Sequence, residues 1–330
     1  MIISRTPFRI SFVGGGTDLE EFYRHEPGKV LSTTIDKYIY VVVKRQTSIA
    51  DYKFRINWST VEFRNTIDEI EHPIVREALR LMEIDFPLEI TTFADIPAFT
   101  GLGSSSAFAV GLLHALFALK GEMVTKNTLA KLAAKIEVDI LGRNIGKQDH
   151  YAAAYGNFNV FEFRADGSVI VEPVFYRPDT RGALSSRLML FYTRVKRDAH
   201  EILTSQKSKT VEKMSVLQGM KELVEPLRET LSHSNDLTQV AELLHKGWLL
   251  KKSITAEISS SEIDEYYERA RSAGALGGKL LGAGGGGFLL FYVEPENRAA
   301  LRESLKDLYH MPFDFDSAGT RITYYDQPSL

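Results

Sequence analysis

The pattern of apolar and polar positions at the start of the chain predicts a strand-rich region. Residues 2–13 form a β-rich run that ends at three consecutive glycines, and residues 30–45 are dense in β-branched and aromatic side chains. A short acidic helical segment is expected at 19–23. The other elements predicted before residue 94 are strands at 54–58 and 87–93 and a helix at 71–82.

The middle of the chain carries apolar residues at helical spacing. The apolar run 107–119 predicts a buried helix, and 127–141 repeats apolar side chains every three or four positions. A loop and short helix at 142–156 follow, and then two alternating segments, 157–163 and 168–176, predict half-buried strands.

A segment with Pro178, Asp179 and Gly182 predicts a connection between two domains, residues 1–183 and 184–330. The second domain is expected to begin with a strand at 188–193 and to be α+β rather than parallel and doubly wound. A helix is expected from about Asp198. Its other predicted helices are 208–231, 237–254, 262–273 and 296–308, and the strands expected in its sheet are 275–281, 288–293 and 320–325.

Composition excludes several classes of function. The 330 residues, 44% of them hydrophobic, fit two packed domains, and a net charge of -3 gives no overall attraction to nucleic acid or an anionic membrane. The absence of cysteine excludes disulfides and thiolate chemistry. The N-terminus lacks the apolar centre of a signal peptide, and 107–119 is too short to span a bilayer. We therefore expect a cytoplasmic protein with a small-molecule partner.

A Gly- and Ser-rich stretch before the buried helix predicts a phosphate cradle. Glycines let the backbone bring N–H groups close to an anion, and the helix dipole favours negative charge there. The alternative is a loop that only caps the helix, but a cap needs one serine and three follow here. The stretch is not a Walker A sequence. The candidate nucleotide-binding residues are Pro97, Gly101, Leu102, Gly103, Ser104, Ser105 and Ser106.

Two carboxylates after the cradle are candidates for chemistry. Glu137 has only small or apolar residues three and four positions away, so it is either at the margin of a face or buried for a purpose, with metal coordination as the compensation. Asp149, close to Lys147 and His150, could simply cap a helix.

A second glycine run, 282–287, satisfies the Gly-x-Gly-x-x-Gly pattern, but a strand rather than a helix follows it. We interpret it as a backbone-only loop, with Gly284, Gly285 and Gly286 approaching phosphates or substrate.

Three segments together resemble the GHMP kinase superfamily, which includes galactokinase, homoserine kinase, mevalonate kinase and phosphomevalonate kinase. They are RTPFRISFVGGGTDLEEF, PAFTGLGSSSAFAVG and GGKLLGAGGGGFLLF, in the order of the family's three signatures. The form GGGTDL, where galactokinase has GEHTDY, is most similar to the bacterial D-glycero-D-manno-heptose 7-phosphate kinases and, next, to fucokinases. The resemblance implies a ribosomal protein S5 domain 2-like α/β domain followed by a ferredoxin-like α+β domain.

The resemblance also implies an ATP- and Mg²⁺-dependent sugar 1-kinase. Asp149, 12 positions after Glu137, would orient or deprotonate the acceptor hydroxyl, and Ser106 and Glu137 would coordinate magnesium. Arg9 aligns with the galactokinase arginine near the transferring phosphate. Asp18 aligns with the sugar-binding aspartate, and the neighbouring residues counted with it as substrate-binding are Gly15, Gly16 and Thr17.

The acceptor is predicted from where the first segment departs from galactokinase. Gly15 and Gly16 replace a glutamate and a histidine that contact the exocyclic end of a hexose in that family, which leaves room for a longer arm. A heptose 7-phosphate fits, its phosphate bound by the cationic group Arg194, Lys196 and Arg197, with Arg197 favoured. The product would be the 1,7-bisphosphate, used to make nucleotide-activated heptose for surface polysaccharide. Fucose, another sugar, an isoprenoid alcohol or a non-catalytic ATP and sugar sensor are the alternatives.

Overall fold

The computed structural model of the chain describes residues 1–47, 49–98, 100–195 and 199–326, which form two β-sheets covered by helices. The strands are β1 (Ile2–Val13), β2 (Gly28–Arg45), β3 (Phe54–Asn57), β4 (Val61–Arg64), β5 (Leu88–Ala94), β6 (Asn159–Phe163), β7 (Val169–Pro173), β8 (Leu188–Tyr192), β9 (Ala275–Leu280), β10 (Phe288–Val293), β11 (Tyr309–Met311), β12 (Phe315–Asp316) and β13 (Arg321–Tyr325).

The α-helices are α1 (Glu20–Tyr23), α2 (Pro73–Leu81), α3 (Ser104–Leu119), α4 (Lys126–Ala134), α5 (Gln148–Tyr155), α6 (Thr180–Arg187), α7 (Ala199–Lys209), α8 (Met214–Lys221), α9 (Val224–His233), α10 (Thr238–Lys252), α11 (Ser261–Ser272) and α12 (Arg298–Ser304). A π-helix, Lys135–Ile140, continues α4, and short 3₁₀ helices cover Ala256–Ile258 and Pro295–Asn297.

The larger sheet is built around β2, a strand of 18 residues. One edge of β2 pairs antiparallel with β1, and its other edge takes β6, β12 and β5 at successive positions. The order along the sheet is β13-β1-β2-β5-β3-β4, with β3 parallel to β5. Helix α3 packs on β1 and β2 and is buried along most of its length, because its side chains are nearly all apolar or small.

The smaller sheet has the order β11-β8-β10-β9, and all of its pairings are antiparallel. Helices α10 and α11 cover β9, and Trp248, Tyr267 and Phe291 are among the large side chains fully buried beneath them. Gly277 in β9 allows the close approach of α10, since a Cβ atom there would lie 2.0 Å from the carbonyl oxygen of Ala241.

Most predicted elements are present, but three expectations need correction. The strand predicted at 320–325 is β13, and it pairs with β1 in the larger sheet rather than with the second-domain sheet. The helix predicted at 208–231 is divided between the end of α7, α8 and α9. The predicted interdomain connection includes the start of a helix, α6. Periodicity indicates that a segment is a strand or helix, whereas its partner is chosen by tertiary packing.

The predicted domain boundary at residues 183 and 184 remains a prediction. The second sheet begins with β8 at Leu188, but β12 and β13, near the end of the chain, lie in the larger sheet. A single cut at that point therefore does not separate the two sheets. None of the helices in the described ranges has the length and apolar character needed to cross a membrane.

Candidate active site

Two of the glycine-rich segments meet backbone to backbone in front of α3. Gly103, at φ 78°, is the N-cap of α3, and Gly101 also has a positive φ, 83°. A Cβ atom on Gly101 would lie 2.6 Å from the carbonyl oxygen of Leu281, and one on Gly282 would lie 2.4 Å from the Gly101 Cα. The loop before β10 is therefore packed directly against the cradle loop, and neither position has room for a side chain.

Arg9 and Asp149 form a two-pronged ion pair beside this loop. The Arg9 Nε donates to Asp149 Oδ1 at 2.6 Å and its Nη2 donates to Oδ2 at 2.7 Å. Its Nη1 donates to the carbonyl oxygen of Gly101 at 2.7 Å. Arg9 is 5% exposed, whereas the Asp149 side chain keeps 21% of its surface exposed. Gly103 is packed against this pair, because a Cβ there would lie 3.1 Å from Asp149 Oδ2.

Glu137 lies in the π-helix and is fully buried. Two cationic or proton-donating side chains stabilise the negative charge of its carboxylate. His150 Nε2 lies 2.9 Å from Glu137 Oε2, and Arg143 donates to Oε1. Burial alone raises the pKa of the Glu137 carboxyl, but His150, Arg143 and the Ser105 hydroxyl together bring that pKa below its ordinary value. Glu137 is therefore held as a carboxylate. Arg143 and His150 were not predicted as partners of Glu137. Both residues come after the helix in the sequence, so helical spacing gives no sign of these contacts.

The oxygen donors of Glu137 and Ser105 are of the type that a hard divalent cation takes, although both Glu137 oxygens already have partners, Arg143 and His150. Mg²⁺ commonly takes one or two carboxylates from the protein and completes its shell with phosphate oxygens and water. Here a carboxylate and the Ser105 hydroxyl meet at the start of α3. Ser106, the serine predicted as the ligand, is only 2% exposed, and its role as a ligand stays a prediction. The described residues contain no group of three or more His, Asp or Glu that could hold a metal alone.

Asp18 lies in the loop after β1 and faces α5. Its carboxylate accepts from the backbone N–H of Gly16 at 2.9 Å and from that of Gln148 at 3.3 Å. Burial raises the pKa of the Asp18 carboxyl, and the negative charge of Asp149 raises it further. The first loop and the start of α5 are thus joined through this carboxylate.

The other predicted residues occupy varied positions. The Thr17 hydroxyl donates to the carbonyls of Gly14 and Lys29 at 2.8 and 2.9 Å, so it holds the loop, and its contact with substrate stays a prediction. Gly16 has no room for a side chain, because a Cβ there would lie 2.6 Å from Gln206 Nε2. Pro97 is exposed. Arg197 and Lys196 lie outside the described residues.

The glycines predicted to approach phosphates or substrate pack against main chain of the second domain. Gly285 donates to the carbonyl of Ile258 at 2.9 Å, and a Cβ on Gly284 would lie 2.8 Å from the Ile258 Cα. A Cβ on Gly286 would lie 2.5 Å from the carbonyl oxygen of Val195. These contacts explain why glycines stand there, and a role toward substrate remains a prediction.

Two buried lysines near Arg9 were not predicted. Lys279, from β9, donates to the carbonyls of Ser11 and Phe12 at 2.9 and 2.8 Å, and Lys251, from α10, donates to the carbonyl of Gly282. Burial, with the charge of Arg9, lowers the pKa of Lys251 to about 8. Burial and the charges of Lys251 and Arg9 lower that of Lys279 well below its ordinary value. Lysine in a helix or strand usually indicates a solvated surface, so the sequence carried no signal for these positions.

Comparison with known proteins assigns the chain to a family. Models described as the GHMP kinases N terminal domain and the GHMP kinases C terminal match residues 73–157 and 222–310. The D-glycero-alpha-D-manno-heptose 7-phosphate kinase of Campylobacter jejuni is 31% identical over 97% of this chain and 98% of its own. The chain belongs to the GHMP kinase family. The predicted membership is thereby confirmed.

Solved structures confirm the predicted two-domain GHMP kinase fold of mixed helices and sheets. A D-glycero-D-manno-heptose 1-phosphate kinase from Bacteroides thetaiotaomicron matches with a TM-score of 0.80 and 26% identity, over 98% of this chain and 99% of that one. Galactokinase from Lactococcus lactis matches with a TM-score of 0.74 over 97% of this chain and 94% of that one, and at 18% identity it supports the fold alone.

Proposed function

We propose that this GHMP kinase transfers the γ-phosphoryl group of ATP to the anomeric hydroxyl of D-glycero-D-manno-heptose 7-phosphate, which gives the 1,7-bisphosphate. The observation that carries the proposal is the Arg9–Asp149 pair, held against the Gly101 carbonyl at the N-terminus of α3. A guanidinium and a carboxylate at the mouth of a phosphate cradle are the two charges that phosphoryl transfer to a hydroxyl needs.

In this reaction the anomeric oxygen forms a bond to the γ-phosphorus while the bond from that phosphorus to the bridging oxygen breaks, and ADP leaves. Asp149, whose side chain is 21% exposed, would accept a hydrogen bond from the reacting hydroxyl and either orient it or take its proton. Arg9, almost fully buried, would present a fixed positive charge to the transferring group. Most of the rate enhancement would come from positioning and from charge neutralisation.

ATP would be held by main-chain N–H groups at the start of α3, where the helix dipole favours phosphate. Glu137, together with Ser105 or Ser106, would hold Mg²⁺, which supplies charge neutralisation at the phosphates when it is bound. Residues Gly101 to Gly103 lie between the ion pair and the second-domain loop, which supports their assignment to the phosphate site.

The acceptor is proposed from the relatives and from the first loop. The full-length relative from Campylobacter jejuni is named a heptose 7-phosphate kinase, and a structural neighbour at 26% identity is titled a heptose 1-phosphate kinase. Both names specify heptose, but they differ in where the phosphate stands. Gly15, where a Cβ atom would meet nothing closer than 3.7 Å, leaves volume that favours an acceptor with a long exocyclic arm, whereas the space at Gly16 is filled by Gln206 and Leu217.

A coupled assay of ADP release tests the proposal on heptose 7-phosphate, heptose 1-phosphate, free heptose, fucose, galactose and mevalonate. We expect heptose 7-phosphate to have the highest kcat/KM and ³¹P NMR to show a new phosphate at C1. Preference for heptose 1-phosphate would mean that the phosphoryl group goes to a hydroxyl other than the anomeric one. Preference for fucose would make the protein a fucokinase. Binding without ADP release from any acceptor would indicate a sensor.

A further inference from the structure

Ser11 and Gln148, each of which has a buried polar atom with no protein partner, both border Gly15. Among the described residues, Ser11 Oγ and Gln148 Oε1 are buried and make no hydrogen bond. A Cβ atom on Gly15 would lie 3.7 Å from Ser11 Oγ and 3.7 Å from Gln148 Nε2. Buried polar groups are nearly always hydrogen-bonded, so an unpartnered atom on each of the two side chains that border this glycine indicates a ligand that completes them.

The direction of the Ser11 side chain follows from the place of Ser11 on β1. Ser11 stands two residues after Arg9 on β1, and alternate residues of a strand point to the same face, so its side chain lies on the Arg9 side. Its carbonyl accepts from the buried Lys279 at 2.9 Å. Ser11 is 7% exposed, and its buried hydroxyl makes no hydrogen bond within the described part of the chain.

The Gln148 amide is oriented by Asp18. The Asp18 carboxylate accepts from the backbone N–H of Gln148 and from its side chain, which must be the NH₂ end because a carboxylate only accepts. The amide oxygen is therefore left as a free acceptor. Gln148 immediately precedes Asp149 on α5, and the Asp18 carboxylate that holds its amide is near enough to Asp149 for the charge of Asp149 to raise the pKa of Asp18.

We propose that Ser11 and Gln148 bind hydroxyl groups of the acceptor sugar next to its reacting hydroxyl, and so determine which acceptors are used. The proposal rests on the proposed function, which directs the acceptor to Asp149. An amide oxygen and a carboxylate both accept hydrogen bonds, which sugar hydroxyls can donate, and a serine hydroxyl can donate or accept. A pair of neighbouring ring hydroxyls supplies this combination, whereas an acceptor with an isolated alcohol does not.

The first test is Ser11→Ala, with Thr33→Val as the matched control. Thr33 also has a buried hydroxyl without a partner, but it pairs with Ile10, whose side chain points to the opposite face from Ser11. Both variants should keep or raise the melting temperature, because each removes a buried polar group that nothing in the protein satisfies. Only Ser11→Ala should raise the KM for the acceptor, by about tenfold, with the KM for ATP within about twofold.

The second test is Gly15→Ala, which fills the space without removing a group. Gly15 has no positive φ, and the new methyl would meet its neighbours at 3.7 Å, an ordinary contact, so the fold should tolerate it. We expect calorimetric titration to show acceptor affinity at least tenfold weaker and ATP affinity unchanged. Acceptors lacking a single ring hydroxyl give the sharpest readout. Wild type should discriminate against one of them, and Ser11→Ala should lose that discrimination.

The outcomes separate this inference from the function on which it rests. If wild type turns over no sugar, the proposed function fails. If wild type phosphorylates heptose 7-phosphate and both Ser11→Ala and Gly15→Ala keep its acceptor KM and its discrimination among deoxy acceptors, the kinase assignment stands and only the role of Ser11 and Gln148 is rejected. A lowered melting temperature in Ser11→Ala would show that the hydroxyl serves the fold, which also overturns the inference.

Discussion

Arg9 holds both carboxylate oxygens of Asp149, at 2.6 and 2.7 Å, across 140 residues of sequence. The pair joins the first strand of the larger sheet to the start of α5, and the Gly101 carbonyl takes a further guanidinium N–H. Bidentate geometry leaves the carboxylate little rotational freedom. Asp149 is therefore already oriented before any acceptor arrives, which is the property that a group serving a reacting hydroxyl requires.

Replacing Asp149 with Asn should lower kcat by about 100-fold or more while ATP binding stays nearly unchanged, because Asn keeps the shape but can neither accept a proton nor offer a charge. Steady-state kinetics and titration with a non-hydrolysable ATP analogue measure the two quantities. Asp179→Asn, in a connection outside the site, is the matched control and should behave as wild type. Turnover of Asp149→Asn within a few-fold of wild type would reject the role.

Glu137→Gln should raise the magnesium concentration needed for half-maximal rate, because a charged oxygen ligand is lost. Binding of Mn²⁺, followed by its electron paramagnetic resonance signal, should weaken in parallel and gives a readout independent of turnover. The same variant should lose about 1–3 kcal/mol of unfolding free energy, since Arg143 and His150 lose a buried carboxylate. Unchanged magnesium dependence with reduced stability would leave Glu137 a purely structural group.

Lys251→Met should change how stability depends on pH. In the folded state the pKa of Lys251 is about 8, below its ordinary value of 10.5, so between these values the unfolded chain binds more protons. Stability contributed by this residue must therefore rise as the pH increases from about 8 to about 10.5, by about 3 kcal/mol at most. Denaturant titrations across this range should show that slope in wild type and a smaller one in Lys251→Met. Equal slopes would mean that Lys251 titrates normally.

Arg197→Ala should erase most of the preference for heptose 7-phosphate over free heptose, a loss of about 1.5–3 kcal/mol for a charge-assisted contact with phosphate. Arg302→Ala is the matched control, since Arg302 is exposed on α12 and does not belong to the predicted cationic group. The ratio of kcat/KM for the two sugars gives the answer in each variant. A preference that survives Arg197→Ala would keep the substrate and reject only this residue.

Most strands and helices and the glycine-rich loops could be predicted from the sequence, because strands, buried helices and tight turns depend on local pattern. Strand 2–13 is a clear case, since its β-rich run ends at Gly14 as observed. The partner of β13 could not be predicted in this way, because pairing between residues more than 300 positions apart leaves no local pattern.

The candidate site shows the same division. Glu137 could be predicted as a candidate site residue because its helical neighbours are apolar. Its contacts with Arg143 and His150 could not be predicted, because they depend on how the next loop folds back. Ser11 and Gln148 are ordinary polar residues in sequence. Only the three-dimensional arrangement shows that each has a buried atom without a partner.

The pairing of β13 with β1 also bears on how the chain is made. Ile2 lies opposite Tyr325, so the outer edge of the first strand at residues 2–5 stays open until residues 321–325 have left the ribosome. An open strand edge is a template for pairing with another chain. The nascent N-terminal half is therefore exposed to aggregation throughout its synthesis, and early release or C-terminal truncation would leave that edge permanently uncovered.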